Sequence, residues 1–176
     1  MKRGENMSGG NLSKSPGYNR AAAVEYARTW ALKRNPAFYS FSGLGGDCAN
    51  FASQCIYAGA GVMNFKPIYG WYYRSANDRA PAWTGVKYLY NFLTTNKGAG
   101  PYAEETGIEA MKPGDIIQIA TYLPEFHHTL VVAQTGAVPA LDNILICAHS
   151  YDSLDRPLDS YEITRIRCLH IQGVRK

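Results

Sequence analysis

Apolar positions follow a helical period in three stretches of the chain, then change to short dense runs. Ala21, Val24, Ala27, Ala31 and Leu32 recur at helical spacing, and Ala23, Tyr26 and Trp30 widen the same face, which predicts a helix from about Asn19 to Arg34. Asn35-Pro36 ends it, because a residue before proline is driven out of the α region. After a loop of Ser, Gly, Tyr and Phe at 37–46, the run Asp47 to Gly59 reads as a second helix, with Asp47 as N-cap behind Gly45-Gly46 and Gly59 or Gly61 as the stop. Val86, Leu89, Tyr90 and Leu93 form the stripe of a third helix from Trp83 to Lys97, closed by Gly98. Asp115–Thr121, His128–Gln134, Ile144–His149 and Glu162–Ile171 are short runs rich in Ile, Val and Leu. Pro113-Gly114, Gly136, Pro139, Asp142-Asn143 and Pro157 punctuate them into a meander. Helices first and strands second predict an α+β fold, with N-terminal helices packed on a C-terminal antiparallel β-sheet.

Length confines this pattern to one domain. The 176 residues are 46% apolar and 18% charged, which excludes a disordered polyampholyte and a coiled coil. No run of about 18 apolar residues exists to span a membrane, and no repeat recurs along the chain. Residues 1–17 read as a flexible polar tail and 18–176 as the domain; the tail lacks the apolar stretch of a signal peptide. Half of the net charge of +4 lies in that tail, where Lys2, Arg3 and Lys14 face only Glu5. The nearly neutral remainder carries no basic stripe, which argues against nucleic acid as a partner. Thirteen tyrosines and three tryptophans are a heavy aromatic load, divided between core residues with a polar tip and walls for a polar, extended substrate.

Cys48 is the most informative residue. It falls in the first turn of the second predicted helix, where unpaired N–H groups and the helix dipole favour a thiolate and lower its pKa. A lowered pKa makes a cysteine nucleophilic at neutral pH, and Gly45-Gly46 would let a substrate approach. The plain alternative is a buried structural cysteine. Cys48 and Cys55 cannot pair within one helix, because seven residues rise ~10.5 Å, beyond the ~7 Å limit on Cα separation for a disulfide. Cys147 and Cys168 lie on different predicted strands. A core of this size needs no such bond, so all four cysteines are read as reduced and Cys55 as helix core.

A nucleophilic cysteine needs a base, and the base an orienting group. The histidines are His127, His128, His149 and His170. His128 opens one predicted strand and His149 ends the next; a hairpin turning at about Val138-Pro139 sets them opposite each other on one face. His127 has the opposite strand parity, and alternation here does not choose between the two. His149 could instead cap a turn with Asp152, and His170 reads as a strand residue near the C-terminus.

The segment Gly46-Asp47-Cys48-Ala49-Asn50-Phe51-Ala52-Ser53-Gln54-Cys55 resembles the nucleophile motif of the bacterial "Putative amidase domain" family, which groups with papain-like cysteine hydrolases and is related to cell-wall CHAP amidases and endopeptidases. Supporting matches are Tyr18-Asn19-Arg20 with Tyr26-Ala27 and Trp30, Gly70-Trp71-Tyr72-Tyr73, Trp83-Thr84-Gly85-Val86, and Lys112-Pro113-Gly114-Asp115-Ile116-Ile117. His128-Thr129-Leu130-Val131-Val132 resembles the base-bearing strand, and His149 with Asp152 the later His-containing turn. The resemblance implies a papain-like fold and a cysteine amidohydrolase or peptidase working through a thioester. Cys48 would be the nucleophile, His128 the base and His149 the third member, with Asp152 as alternative. No Gln precedes Cys48 as an oxyanion donor, so the backbone N–H of Cys48 and Tyr39, Ser40 or Ser42 are the candidates, with Tyr39 preferred and Asp47 and Trp83 as further site candidates. The implied partner is a peptide or peptidoglycan-like substrate met by a monomer outside the cell or at its envelope, and the chemistry calls for no cofactor and no metal.

Three rivals stand beside this expectation. Cys147-x-His149 and Cys168-x-His170 each place two ligand types on one strand face and could together hold Zn²⁺. A binding domain could keep the fold without turnover. A transglutaminase-like acyl transferase would use the same cysteine and histidine with an amine in place of water.

Overall fold

A computed structural model describes residues 16–176, so the expected tail at 1–17 lies almost wholly outside the described residues. Helix α1 (Arg20–Trp30) starts at Asn19, whose side chain accepts the Ala22 N–H at 3.0 Å. It stops a turn earlier than its apolar period suggests. The Trp30 carbonyl is taken by His149 Nε2 at 2.8 Å and by the Lys33 N–H at 3.3 Å, so tertiary bonds replace the continuation of the helix. Helix α2 (Asp47–Ala60) ends on Gly61, whose φ of +66° places it in the left-handed cap region with its N–H on the Tyr57 carbonyl. The third expected helix is two pieces, α3 (Pro81–Thr84) and α4 (Val86–Thr95), separated by extended Gly85. Pro81 opens α3 at a position where its missing N–H costs nothing. The break lets Trp83 turn fully into the core while α4 keeps its own stripe of Leu89, Phe92 and Leu93.

A small hairpin of β1 (Tyr73–Ser75) and β2 (Asp78–Arg79) precedes α3. The main sheet contains β3 (Gly100–Thr106), β4 (Ile116–Ala120), β5 (His128–Gln134), β6 (Leu145–Ala148), β7 (Ser153–Pro157) and β8 (Arg165–Arg175). Its order is β3-β8-β4-β5-β6-β7, with every neighbouring pair antiparallel. Strands β4 to β7 form a meander, but not the expected one: the run expected to follow β6 is β8, which returns to lie between β4 and β3, and the unforeseen β7 takes the place beside β6. The fold is α+β, with the N-terminal helices packed against this six-stranded sheet.

Alternation along the strands divides the apolar residues between two cores. Ile116, Val131, Ala133, Cys147, Leu169 and Ile171 face the helices, where Phe51, Ala52, Cys55, Ile56, Trp71 and Trp83 pack. Ile117, Ile119, Leu130, Val132, Ile146 and Ala148 face the other way and are covered by Met111, Ile144, Leu158, Tyr161 and Ile163. All four cysteines are free, with Cys55 and Cys147 in the helix-side core and Cys168 in the other.

Asp115, fully buried at the start of β4, ties the layers together. Its carboxylate accepts from Arg20 Nη1 at 2.8 Å, from the backbone N–H of Lys112 at 2.8 Å and of Ile171 at 2.9 Å, and lies 2.8 Å from His170 Nδ1. Removing one partner of a buried charged pair leaves the other uncompensated. Asp115→Ala is therefore expected to lower the unfolding free energy by about 3–5 kcal/mol, read as a shift in urea midpoint. A loss within about 0.5 kcal/mol would show that the Arg20–Asp115–His170 cluster does not hold α1 to the sheet.

Candidate active site

The chain enters α2 through two glycines in the left-handed region, Gly45 at φ +77° and Gly46 at φ +90°. A Cβ on Gly46 would lie 2.6 Å from the Thr84 carbonyl oxygen, so only glycine fits this approach. Gly46, rather than the expected Asp47, is the N-cap, and its carbonyl accepts the Asn50 N–H at 2.9 Å. Asp47 becomes the first helical residue, where a negative charge complements the dipole. Its carboxylate, 1% exposed, turns to neighbouring segments. Oδ1 accepts from the Phe41 N–H at 2.9 Å and Asn50 Nδ2 at 3.1 Å; Oδ2 lies 2.9 Å from His149 Nδ1, 3.3 Å from Ser42 Oγ and 3.5 Å from Arg34 Nε. Burial alone would raise its pKa, but the hydrogen bonds from His149, Asn50 and Phe41 outweigh that and hold it at about 2.

Cys48 follows, also buried. Its Sγ donates to the His127 carbonyl at 3.8 Å, so the sulfur lies against the backbone where β5 begins, next to His128. Strand β6 ends at Ala148, and the sulfur meets the edge of β5 beyond the last paired residues. The thiol differs from the expectation in one respect. Burial raises its pKa, and although N–H groups of Thr129, Ala49 and Cys48 pull it down, the nearby Asp47 charge opposes them and the net shift is upward.

His128, 7% exposed, opens β5 on the sheet face turned away from the helices, with Leu130 and Val132. Its Nε2 is buried without a hydrogen-bond partner, and the ring stands edge-on to Tyr161 at 5.7 Å. Burial, then the charges of His127 and Arg156, lower its pKa to about 4. Cys48 and His128 line one cleft of about 490 Å³ with Gly45, Gly46, Thr121, His127, Arg156 and Tyr161. Tyr122 and Tyr151, 82% and 89% exposed, stand at its rim. A wider depression of about 730 Å³ runs along α1 past Arg20, Glu25 and Arg28, and no cysteine or histidine lines it.

The other expected site residues are placed elsewhere. The β5–β6 register differs by one residue from the hairpin arithmetic: Val131 faces Cys147 and Val132 faces Ile146, which continues to Ser150 opposite His128. The connecting loop closes with the Gly136 N–H on Asn143 O at 3.0 Å, and a bulge follows between Val132 and Gln134. A one-residue slip exchanges the faces. His149 accordingly stacks on Phe51 at 4.0 Å on the helix side, with Nδ1 on Asp47 and Nε2 within 2.8 Å of the Trp30 carbonyl and 3.3 Å of Arg34 Nη1. Asp152 receives the Arg34 guanidinium in two bonds of 2.9 and 3.0 Å. Tyr39 lies outside the cleft lining; its N–H donates to Tyr73 Oη at 2.7 Å and its carbonyl accepts from Asn50 Nδ2 at 3.1 Å. Trp83 is fully buried in the core, its Nε1 donating to Asn50 Oδ1 at 3.0 Å.

The zinc arrangement does not assemble. Strands β6 and β8 are separated by β5 and β4, about 14 Å across the sheet, and His149 and His170 bond Asp47 and Asp115 instead.

With the cleft, Cys48 and His128 placed, comparison with known proteins assigns the scaffold. Residues 17–171 match the family described as "Putative amidase domain". The chain belongs to that family. It is also similar to the uncharacterized protein YhbB of Bacillus subtilis (strain 168), 33% identical over 144 residues, which covers 77% of this chain and 42% of YhbB. The chain thus spans about two-fifths of the length of that relative. No solved structure matches it. In this amidase domain the sequence did not single out Arg156 and Tyr161, which reach the cleft from β7 and from the turn after it; no local spacing links either to Cys48.

The buried His128 makes stability sensitive to acid. Its folded pKa of about 4 lies below the ordinary 6.5, so the unfolded chain binds a proton between those values that the folded chain refuses. Stability is expected to fall by about 3 kcal/mol as pH drops through that window, and His128→Gln to remove that part of the slope. Urea midpoints of both proteins at pH 7 and 4.5 check this; parallel losses would count against a neutral buried imidazole.

Proposed function

We propose that this amidase domain is a cysteine-dependent amidohydrolase that cleaves an amide bond in cell-wall peptide or a related peptide substrate. The observation that carries the reading is the sharing of one cleft by Cys48, at the mouth of α2, and the buried, unpartnered Nε2 of His128. Family membership supports a hydrolase acting on an amide.

In this reading the resting pair is a thiol beside a neutral imidazole, the state that burial favours for both groups. His128 takes the Cys48 proton as sulfur bonds to the amide carbon, then delivers it to the leaving nitrogen as the C–N bond breaks. Water attacks the resulting thioester with His128 as base; the S–C bond breaks, the product leaves as a carboxylic acid, and the proton returns to sulfur. The Cys48 N–H, at the positive end of α2, is the first oxyanion donor. His149 acts as a positioning residue, holding Asp47 and with it the helix turn that carries Cys48, and Asp152 supports it through Arg34.

Cys48→Ala is expected to abolish release of new amino groups from purified peptidoglycan or its stem peptides, and His128→Ala to reduce it about 10²–10⁴-fold. Iodoacetamide labelling with mass mapping should modify Cys48 ahead of the other thiols. Its rate should keep rising above pH 9, because the thiol is raised. A rate already level below pH 7 would indicate a preformed thiolate, and activity unaffected by Cys48→Ala would remove the cysteine mechanism.

A further inference from the structure

The cleft beside His128 holds one permanent charge. Among its lining residues Arg156 is a cation and none is Asp or Glu. Arg20, Arg28, Arg34 and Arg74 pair with carboxylates, whereas Arg156, like Arg79, Arg165, Arg167 and Arg175, forms no ion pair among the described residues; of these arginines it is the one that lines the cleft. It is nonetheless held in place: Nε donates to Ser160 Oγ at 2.7 Å, Nη2 donates to the Ser160 carbonyl at 3.4 Å, and the guanidinium lies over the Tyr161 ring, 3.7 Å from its centroid. Nη1 has no hydrogen-bond partner among the described residues. Tyr161, which supports the guanidinium on its face, also forms a T-shaped pair with the His128 ring and carries a buried hydroxyl that lacks a partner.

A guanidinium stacked and tethered in this way loses little further freedom on binding, and its planar fork suits a carboxylate. An uncompensated cation in a partly buried cleft sets the sign of the charge the cleft complements. We propose that Arg156 forms an anion subsite that selects amide substrates carrying a free carboxylate near the scissile bond, as an acidic residue or a chain terminus of a short peptide. This rests on the hydrolase reading and names its substrate class. The same charge contributes, after burial and His127, to the weak basicity of His128. A carboxylate bound at Arg156 offsets that contribution, so the ligand that fills the subsite also makes the imidazole a better proton acceptor.

The test uses two alkylating probes of nearly equal size, iodoacetyl-glycine and iodoacetyl-glycinamide, which differ in whether they end in a carboxylate or an amide. In each, sulfur displaces iodide from the methylene carbon, so the readout is the second-order rate of Cys48 modification, normalised to a small free thiol. The wild-type chain should favour the carboxylate probe about ten-fold or more, with the preference shrinking in high salt. The preference should collapse to about one in Arg156→Gln and survive in part in Arg156→Lys, which keeps the charge without the fork. A wild-type ratio of one or less overturns the subsite, whatever the variants do; so does an undiminished ratio in Arg156→Gln. Equal labelling of Cys48 by both probes would sink the subsite and leave the cysteine mechanism standing. Absence of Cys48 labelling by either probe would remove that mechanism and the subsite with it.

Discussion

A carboxylate buried in the first turn of a helix must be surrounded by donors, and Asp47 draws its donors from separate parts of the chain. Phe41 and Ser42 come from the loop before α2, Asn50 from within it, Arg34 from the segment after α1, and His149 from the end of β6. Together they tie the mouth of α2 to the sheet, and Cys48 is the next residue. Helix α1 is tied at both ends by related means. Arg20 at its start pairs with Asp115, and the Trp30 carbonyl at its end meets His149. The helix layer therefore sits on the sheet through two buried carboxylates, each held by an arginine and a histidine, while the apolar core between them supplies the bulk attraction.

The same demand for buried partners occupies most of the polar residues in the longest motif. Of the polar groups in Asp47-Cys48-Ala49-Asn50-Phe51-Ala52-Ser53-Gln54, Asn50 and Ser53 accept the indole N–H groups of Trp83 and Trp71, and Gln54 accepts the Tyr26 hydroxyl. The two indole N–H groups would otherwise be buried alone, and the Tyr26 hydroxyl, which also accepts from Asn35 Nδ2 at 3.1 Å, would lose its acceptor. The motif reads as a nucleophile signature because a cysteine sits in it, yet most of its polar residues are spent on packing three aromatic side chains against α2.

The cleft has the opposite character. It opens where β6 leaves β5, which lets a sulfur on the helix side and an imidazole on the far face of the sheet line the same space. Burial pushes both toward their uncharged forms. The turn bounding the cleft, Ser150-Tyr151, has two non-glycine residues in the left-handed region, at φ +59° and +65°, a conformation that two-residue hairpins usually assign to Asn-Gly. It sets Tyr151 at the rim, immediately before Asp152, which Arg34 holds in two hydrogen bonds.

Periodicity alone determined the α+β order, the span of α2, strand β5 from His128 to Gln134 and the runs that form β4, β6 and β8, because amphipathic elements must bury one face whatever their neighbours; the place of β8 in the sheet it did not determine. The two edge strands escaped it: β3 begins Gly100-Pro101 and β7 ends Asp155-Arg156-Pro157, and proline and charge are what edges tolerate. Cys48 and His128 were legible as candidates from residue type and the start of an element. The partner of His149 was not, since one bulge changes which face a strand residue takes, and no local pattern records a bulge whose cause is pairing with a distant strand. Nor could spacing reveal Arg156 and Tyr161, whose place beside His128 is made by β7 closing the sheet edge more than twenty-five residues along the chain. Sequence sets which faces seek burial; the long-range register decides which polar groups meet, because hydrogen bonds and ion pairs act over a few ångströms that only the assembled sheet brings within reach.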